Sequence, residues 1–316
     1  LLLRQNQMLR DNAWGRFGDL LQQVSRDPAM LVYLDGFRNK KAHPNENFAR
    51  EVMELFTVGP GLYSEEDLRE AARAFTGWGV DWLRGGTFRY NLREHDDGPK
   101  KFLDLRGNLD GTRVLQRLAS DPACALHVCQ RLWSFFTGHP TEVQESQRLA
   151  RVFVASHGNL KVVLRNLLLG DAFRACASMR TSIKSPLEYV LGLSQVADVR
   201  SWWGMNDLKK LGQLPFLPPN VAGWSQGDGW INTATLGERL RLVRQMQHAR
   251  SNWLQKVRDL LQGCSPGQAA ERLLWSTHQL DASPELRSVV ADAYSHGRPL
   301  PEVVQLILAS PEAQLR

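Results

Sequence analysis

Residues 43–59 read "HPNENFAREVMELFTVG", and the periodicity of this stretch decides how the rest of the chain is read. On a helical wheel Glu46, Asn47, Arg50, Glu51, Glu54 and Thr57 fall within about 140°. Phe48, Ala49, Val52, Met53, Leu55 and Phe56 fill the remaining arc. A spacing of three and four predicts an amphipathic helix, and Glu46, Arg50 and Glu54 are placed as a ladder of ion pairs, about 0.3 kcal/mol each when exposed. The apolar arc exceeds half the circumference, so neighbours are expected on several sides. The polar strip then faces solvent, a buried polar network, or the wall of a cleft.

Outward from this stretch, helix punctuation recurs. "SRDPAMLVYL" and "SDPACALHVCQRLWSFF" each place Asp before Pro, an N-cap followed by a first-turn proline. "SPLEYVLGLSQV" carries Ser185, Pro186 and Glu188 as a capping box, and Thr141 with Gln144 reads as another. Further helices are expected over 64–78, 160–169, 234–261, 267–277, 284–295 and 300–309, about a dozen in all. Strand-like sequence is confined to "TFRYN" and "KKFLDL" on either side of "LREHDDGP", most simply one small hairpin. The expected fold is mainly α: residues 1–316 as one helical domain, with a hairpin and loop insertion at 78–112. A Trp-, Pro- and Gly-rich loop at 200–233 and C-terminal helices at 234–316 complete it. The chain opens mid-helix without an initiator Met, which reads as a fragment of a longer protein.

Composition bounds the function classes. The 316 residues are 43% hydrophobic and 23% charged, ordinary globular values. The net charge of +6 comes from 30 Arg and 9 Lys against 33 acids, scattered singly, which argues against a nucleic-acid face. An amphipathic basic stretch near 234–258 (Arg239, Arg241, Arg244, Arg250, Lys256, Arg258) is best read as a solvated face, with a membrane-surface or partner-helix role as the alternative. No apolar run reaches the ~18 residues of a membrane span. Cys124, Cys129, Cys176 and Cys264 lack metal-ligand spacing and read as free thiols or at most one disulfide. No Gly-x-Ser-x-Gly elbow and no phosphate-binding glycine loop is present.

Three constellations remain. The first is the polar strip itself. The second is the "HDDGPK" turn, where His95, Asp96 and Asp97, followed by Lys100, could supply a general base (Asp96 oriented by His95) or two oxygen ligands and one nitrogen ligand for a divalent metal, or simply form a β-turn. The third is the tryptophans of the two loop islands, Trp78, Trp82, Trp202, Trp203, Trp224 and Trp230. Beside Asn220, Asp228 and Asn232 they would suit a sugar-stacking wall or a local loop core.

Several of these segments together resemble a known family. "DPAMLVYLDG…PNENFAREVMELFTVGPGLYSEEDLREAARAFTGW" resembles the signature of the bacterial family known as domain of unknown function 1800, and "HDDGPKKFLDLRGNLDG", "IKSPLEYVLG" and "LGQLPFLPPNVAGWSQGDGWINTATLGER" resemble its later motifs in the right order. The likeness runs over roughly residues 9 to 245. Two departures are visible: a further upstream segment usual in the family is missing, and Asp104 stands where the family tends to have glycine. The resemblance implies a bacterial protein, often exported and so periplasmic or extracellular, and often encoded beside another exported protein. It implies no established reaction and leaves the cofactor unknown.

The functional expectation joins the residue types to this frame: a hydrolase acting on a glycan or related polymer through paired carboxylates. Glu46, Glu51 and Asp96, with His95, are the acid–base candidates. Arg50, Glu54, Lys100, Trp78, Trp224, Trp230 and Asn232 are the substrate-binding candidates. The alternatives are a non-catalytic helical binding or assembly module working with an exported partner protein, and a metal-dependent hydrolase using His95 and Asp96.

Overall fold

The computed structural model describes residues 1–175, 182–198, 203–246, 252–279 and 281–316. Cys176, Trp202 and Arg250 lie outside these residues. Among the described residues there are seventeen α-helices and two small two-stranded antiparallel sheets, so the protein is mainly α, as expected. The chain divides into two compact units: Leu1–Phe136 with Pro140–Ala175, and Thr137–His139 with Cys176–Arg316.

In the first unit the helix Pro28–Tyr33 starts where the sequence predicts, with the Asp27 carboxylate accepting from Met30 N–H and Pro28 in the first turn. Helix Glu65–Ala74 begins with a reciprocal Ser64–Asp67 capping box. The apolar face of the opening stretch meets this helix through aromatic rings. Phe48 lies edge-on to Phe75 at 5.0 Å, Phe75 to Trp78 at 5.1 Å, and Trp78 to Phe88 at 5.4 Å. This T-shaped arrangement is the one that ring quadrupoles favour. Gly111 lets the helix Gly111–Ala119 start against the cluster, since an added Cβ would stand 2.5 Å from Phe75 and 2.6 Å from Trp78. A second cluster joins Cys129, Trp133, Leu149, Phe153, Val163 and Leu167. Helix Val143–Ala155 caps at Glu142 without a side-chain bond, so the expected Thr141–Gln144 box does not form. The register one residue later puts Glu145 in the third position, where Arg148 holds both of its oxygens at 2.7 Å.

The strands correct one expectation. Thr87–Tyr90 does not pair across the "LREHDDGP" segment; it pairs with Trp78–Asp81, and Lys100–Phe102 pairs with Leu105–Gly107. Each strand finds a closer partner. The first pair closes through Gly85 and Gly86, both at positive φ, and the second through Leu103–Asp104. The left-handed residue of that tight turn is Leu103, at φ +52°. Asp104 therefore costs no glycine-only conformation and pairs instead with Arg117.

In the second unit Ser185, Pro186 and Glu188 form the predicted box at the start of helix Pro186–Val196. The core runs from Tyr189 and Leu193 through Leu242, Leu273 and Val290 to Ile307. The 200–233 loop includes the short helix Met205–Lys210 and a turn at Gly227–Trp230. The basic stretch expected over 234–258 contributes to helices Thr233–Gln245 and Trp253–Leu261. Its face is not uniformly solvated: Arg239 is fully buried, on the same side as Leu242 and Val243, and Arg241 pairs with Asp207 and Glu238 at 2.6 Å. Among the described residues no helix is long and apolar enough to cross a membrane.

Candidate functional site

The opening stretch forms two kinds of helix. Asn47–Glu51 is α-helical, and Val52–Phe56 continues as a π-helical turn. Such turns are rare and concentrate at functional positions. The local bonds show how the wide turn is held. Thr57 Oγ1 donates to Val52 O at 2.7 Å, Gly59 N–H reaches Met53 O at 3.0 Å, and His127 Nε2 donates to Leu55 O at 3.2 Å. Phe48, Ala49, Val52 and Met53 are buried, while Glu46, Arg50, Glu51 and Glu54 are half-exposed.

The predicted ion-pair ladder forms in part. Arg50 Nη2 lies 3.4 Å from Glu46, but its other partner is Glu65 at 3.5 Å rather than Glu54. Glu54 instead accepts the Tyr63 hydroxyl at 3.3 Å. Burial pushes the Glu51 carboxyl above its ordinary range, with Glu54 adding to the shift and Arg50 opposing it. Burial also raises the Tyr63 hydroxyl, again reinforced by Glu54. Asn47 donates to Leu34 O at 3.1 Å, which ties the start of the helix to the preceding one.

His95, Asp96 and Lys100 come together in a bonded knot. His95 is buried and donates from Nδ1 to Thr76 O at 2.9 Å, with its ring edge-on to Tyr90. Asp96 receives Arg73 Nε at 2.6 Å, Arg73 Nη2 at 3.2 Å and Gly98 N–H at 3.0 Å. The Arg73 bonds hold the Asp96 carboxyl below its usual range, helped by Gly98 against the cost of burial. Lys100 is buried and donates to Asp96 O and to Gly98 O at 3.1 Å; burial lowers its pKa. Gly77 makes the knot sterically feasible: at φ +82°, an added Cβ would meet Asn91 O at 2.5 Å. Asn39 joins the knot to the signature stretch by accepting Asn45 N–H at 2.9 Å while donating to Ala72 O at 2.8 Å.

The tryptophans take different positions. Trp78 is a core residue of the first unit, 4% exposed, with the Arg26 guanidinium 5.5 Å above its ring. Trp82 is exposed. In the second unit Trp230 is buried, Trp203 packs on the core, and Trp224 is half-buried with an indole N–H that has no hydrogen-bond partner among the described residues. Asn232 caps helix Thr233–Gln245 by accepting Thr235 N–H at 2.9 Å. Among the described residues no three His, Cys, Asp or Glu side chains converge as a metal-binding group.

The structure thus gathers Glu46, Arg50, Glu51 and Glu54 on one accessible face of the first unit. It places His95, Asp96 and Lys100 in a bonded turn of the same unit, and Trp224, Trp230 and Asn232 in the second. Periodicity missed four neighbours: Arg73, Thr76, Tyr63 and His127. Arg73 stands inside the quoted "REAARAFTGW" motif together with Arg69, and nothing local singles it out. Tyr63 and His127 carry no local signal, because their partners are distant in sequence or reached only through the π-turn.

A mainly α protein with a π-turn carboxylate face and an arginine-locked His-Asp turn is the class that these features define. Residues 1–315 match the family described as "Protein of unknown function (DUF1800)", and the chain belongs to that family. No curated protein and no solved structure matches the chain.

Proposed function

We propose that the half-exposed face of residues 46–54 is the ligand-facing surface of this protein and performs acid–base hydrolysis on a glycan or related polymer outside the cytoplasm. Glu51 is the proton-holding acid, Glu54 the accompanying base, and Arg50 with Glu46 orients the ligand. One observation supports the reading: two half-exposed carboxylates stand three residues apart on the 46–54 stretch, Glu51 kept partly out of water and Glu54 accepting the Tyr63 hydroxyl. Two carboxyl groups in unlike surroundings are what such chemistry needs. His95, Asp96 and Lys100 are structural in this reading, since their polar atoms are already committed to Arg73, Thr76 and the backbone.

A second reading is a binding or assembly module for an exported partner protein. The same structural commitments of Asp96, Trp78 and Asn232 favour it, because they withdraw candidate groups from chemistry. Screening the full-length protein against polysaccharides and peptidoglycan separates the two. Turnover is expected to fall by about a hundredfold or more in Glu51→Gln. Activity that survives both Glu51→Gln and Glu54→Gln rejects the proposed site, and the absence of turnover on every polymer favours the partner-binding reading.

A further inference from the structure

The hairpin of Trp78–Asp81 and Thr87–Tyr90 ends in a tip, "DWLRGG" at residues 81–86, that none of the readings above uses. It carries two large apolar side chains into solvent. Leu83 is 99% exposed, more than any other large apolar side chain among the described residues, and Trp82 beside it is 59% exposed. Single apolar residues on a surface are ordinary. An adjoining Trp and Leu on one hairpin tip concentrate apolar area at a projecting point.

The turn is closed on itself. Asp81 Oδ1 accepts Leu83 N–H at 3.1 Å and Arg84 N–H at 3.2 Å, and Asp81 O accepts Gly86 N–H at 2.9 Å. Arg4 donates from Nη2 to Gly85 O at 2.7 Å and to Gly86 O at 3.1 Å. Three N–H groups and three carbonyls of the tip are therefore met without water. Backbone that approaches lipid must be satisfied in this way, because hydrocarbon offers no partner. A protein that adds a strand needs those groups free. Charge points in the same direction. The tip, its second strand and the arginine that braces it carry Arg84, Arg89 and Arg4 against one acid, Asp81. Arg89 is exposed, and the Arg84 side chain is 85% exposed, 3.8 Å from Asp81 in a pair too solvated to hold it.

We infer that this tip docks on the surface of an anionic phospholipid bilayer. Trp82 and Leu83 enter the boundary between headgroups and acyl chains, where indole rings concentrate, and Arg84 and Arg89 reach lipid phosphates. One short tip makes a reversible contact that brings the first unit to a membrane without anchoring it. The contact uses no residue of the carboxylate face, so its failure would leave the proposed function untouched.

Sedimentation of the whole chain with vesicles of phosphatidylglycerol and phosphatidylcholine in equal parts is expected to show partition. It should fall with added salt and be at least about fivefold weaker on phosphatidylcholine alone. Leu83→Gln should weaken it about tenfold, and a side chain that is 99% exposed can be changed without disturbing the packing. Arg84→Gln should weaken it about fivefold. Vesicles with brominated acyl chains should quench part of the tryptophan emission. Trp82→Tyr should remove the quenched part, which adsorption by charge alone would not do. No partition onto the phosphatidylglycerol vesicles at low salt overturns the inference. So does partition unchanged in Leu83→Gln, or quenching that survives Trp82→Tyr. Self-association that Leu83→Gln abolishes, without lipid partition, assigns the tip to a protein contact and overturns the membrane.

Discussion

Replacing Asp96 by asparagine tests whether the His-Asp turn is a structural lock or a reactive group. The introduced amide would keep the Gly98 N–H and Arg73 Nη2 contacts at its oxygen, now made to Asp96 Oδ1 at 3.0 and 3.2 Å. It would place an N–H donor against Arg73 Nε, which now lies 2.6 Å from Oδ2. One charge-assisted bond is lost, worth about 1.5–3 kcal/mol. The side chains of Asp96 and Arg73 are 21% and 28% exposed, so solvent screening brings the expected loss to about 2 kcal/mol. That corresponds to a fall of about 4–8 °C in the melting temperature of the first unit, read by scanning calorimetry, which resolves units that melt separately.

The sign with pH follows from the depressed carboxyl. Its stabilisation is fully present above the unfolded-state value of about 3.9 and is lost as pH falls through the folded value. The gap between wild type and Asp96→Asn should therefore be full at neutral pH and close on acidification below about pH 4. A double-mutant cycle with Arg73→Met should return a coupling of about 1.5 kcal/mol or more. A neutral-pH loss under about 0.5 kcal/mol, or a gap that ignores acidification, refutes the lock. Turnover lost without a change in stability would return Asp96 to the chemistry.

Three further outcomes follow from the same geometry. Gly77→Ala should cost about 3 kcal/mol in chemical denaturation, because it combines a left-handed residue with a Cβ 2.5 Å from Asn91 O. Glu51→Gln should raise the melting temperature at pH 7 by about 1–2 °C; the folded state disfavours that charge, so the gain should vanish below about pH 4, where both states are protonated. Cys264, half-exposed, should be labelled by a thiol reagent at pH 8 well before Cys124 and Cys129, which are buried and pushed up to about 12 by burial.

Much of the architecture was written locally. Asp27–Pro28, Ser64–Asp67 and Ser185–Glu188 cap their helices with groups at most three residues apart, and a signal of that range needs no tertiary context. The period of 43–59 placed Phe48, Ala49, Val52 and Met53 on the buried face, though Thr57 of the polar arc is buried as well and Leu55 and Phe56 of the apolar arc are half-buried. Family membership was equally legible, since it rests on residue identities in order. The hairpin was not: which strand pairs with which depends on turns at Gly85–Gly86 and Leu103–Asp104, each competing with the other pairing.

The candidate site divides along the same line. Glu46, Arg50, Glu51 and Glu54 were legible from the helical wheel alone, because side chains on one helix face are neighbours by geometry. Whether Asp96 is free or locked could not be read locally. Its partner Arg73 stands 23 residues away and approaches only when helix Glu65–Ala74 packs beside the turn. Trp78 reads from sequence as either a sugar-stacking wall or a local loop core, and the packing of three rings from separate segments around it makes it a core residue. Arg239 looks like one more basic residue of a solvated face, and only the packing of Tyr189, Gln314 and Lys184 around it makes it a buried charge that pairs with no carboxylate among the described residues. The sequence by itself determined helices, caps, lineage and the polar face, all of which are set by residue identities and near neighbours. Tertiary structure alone decided which polar groups are spent on one another and which remain exposed, because desolvation and long-range pairing are properties of the folded chain.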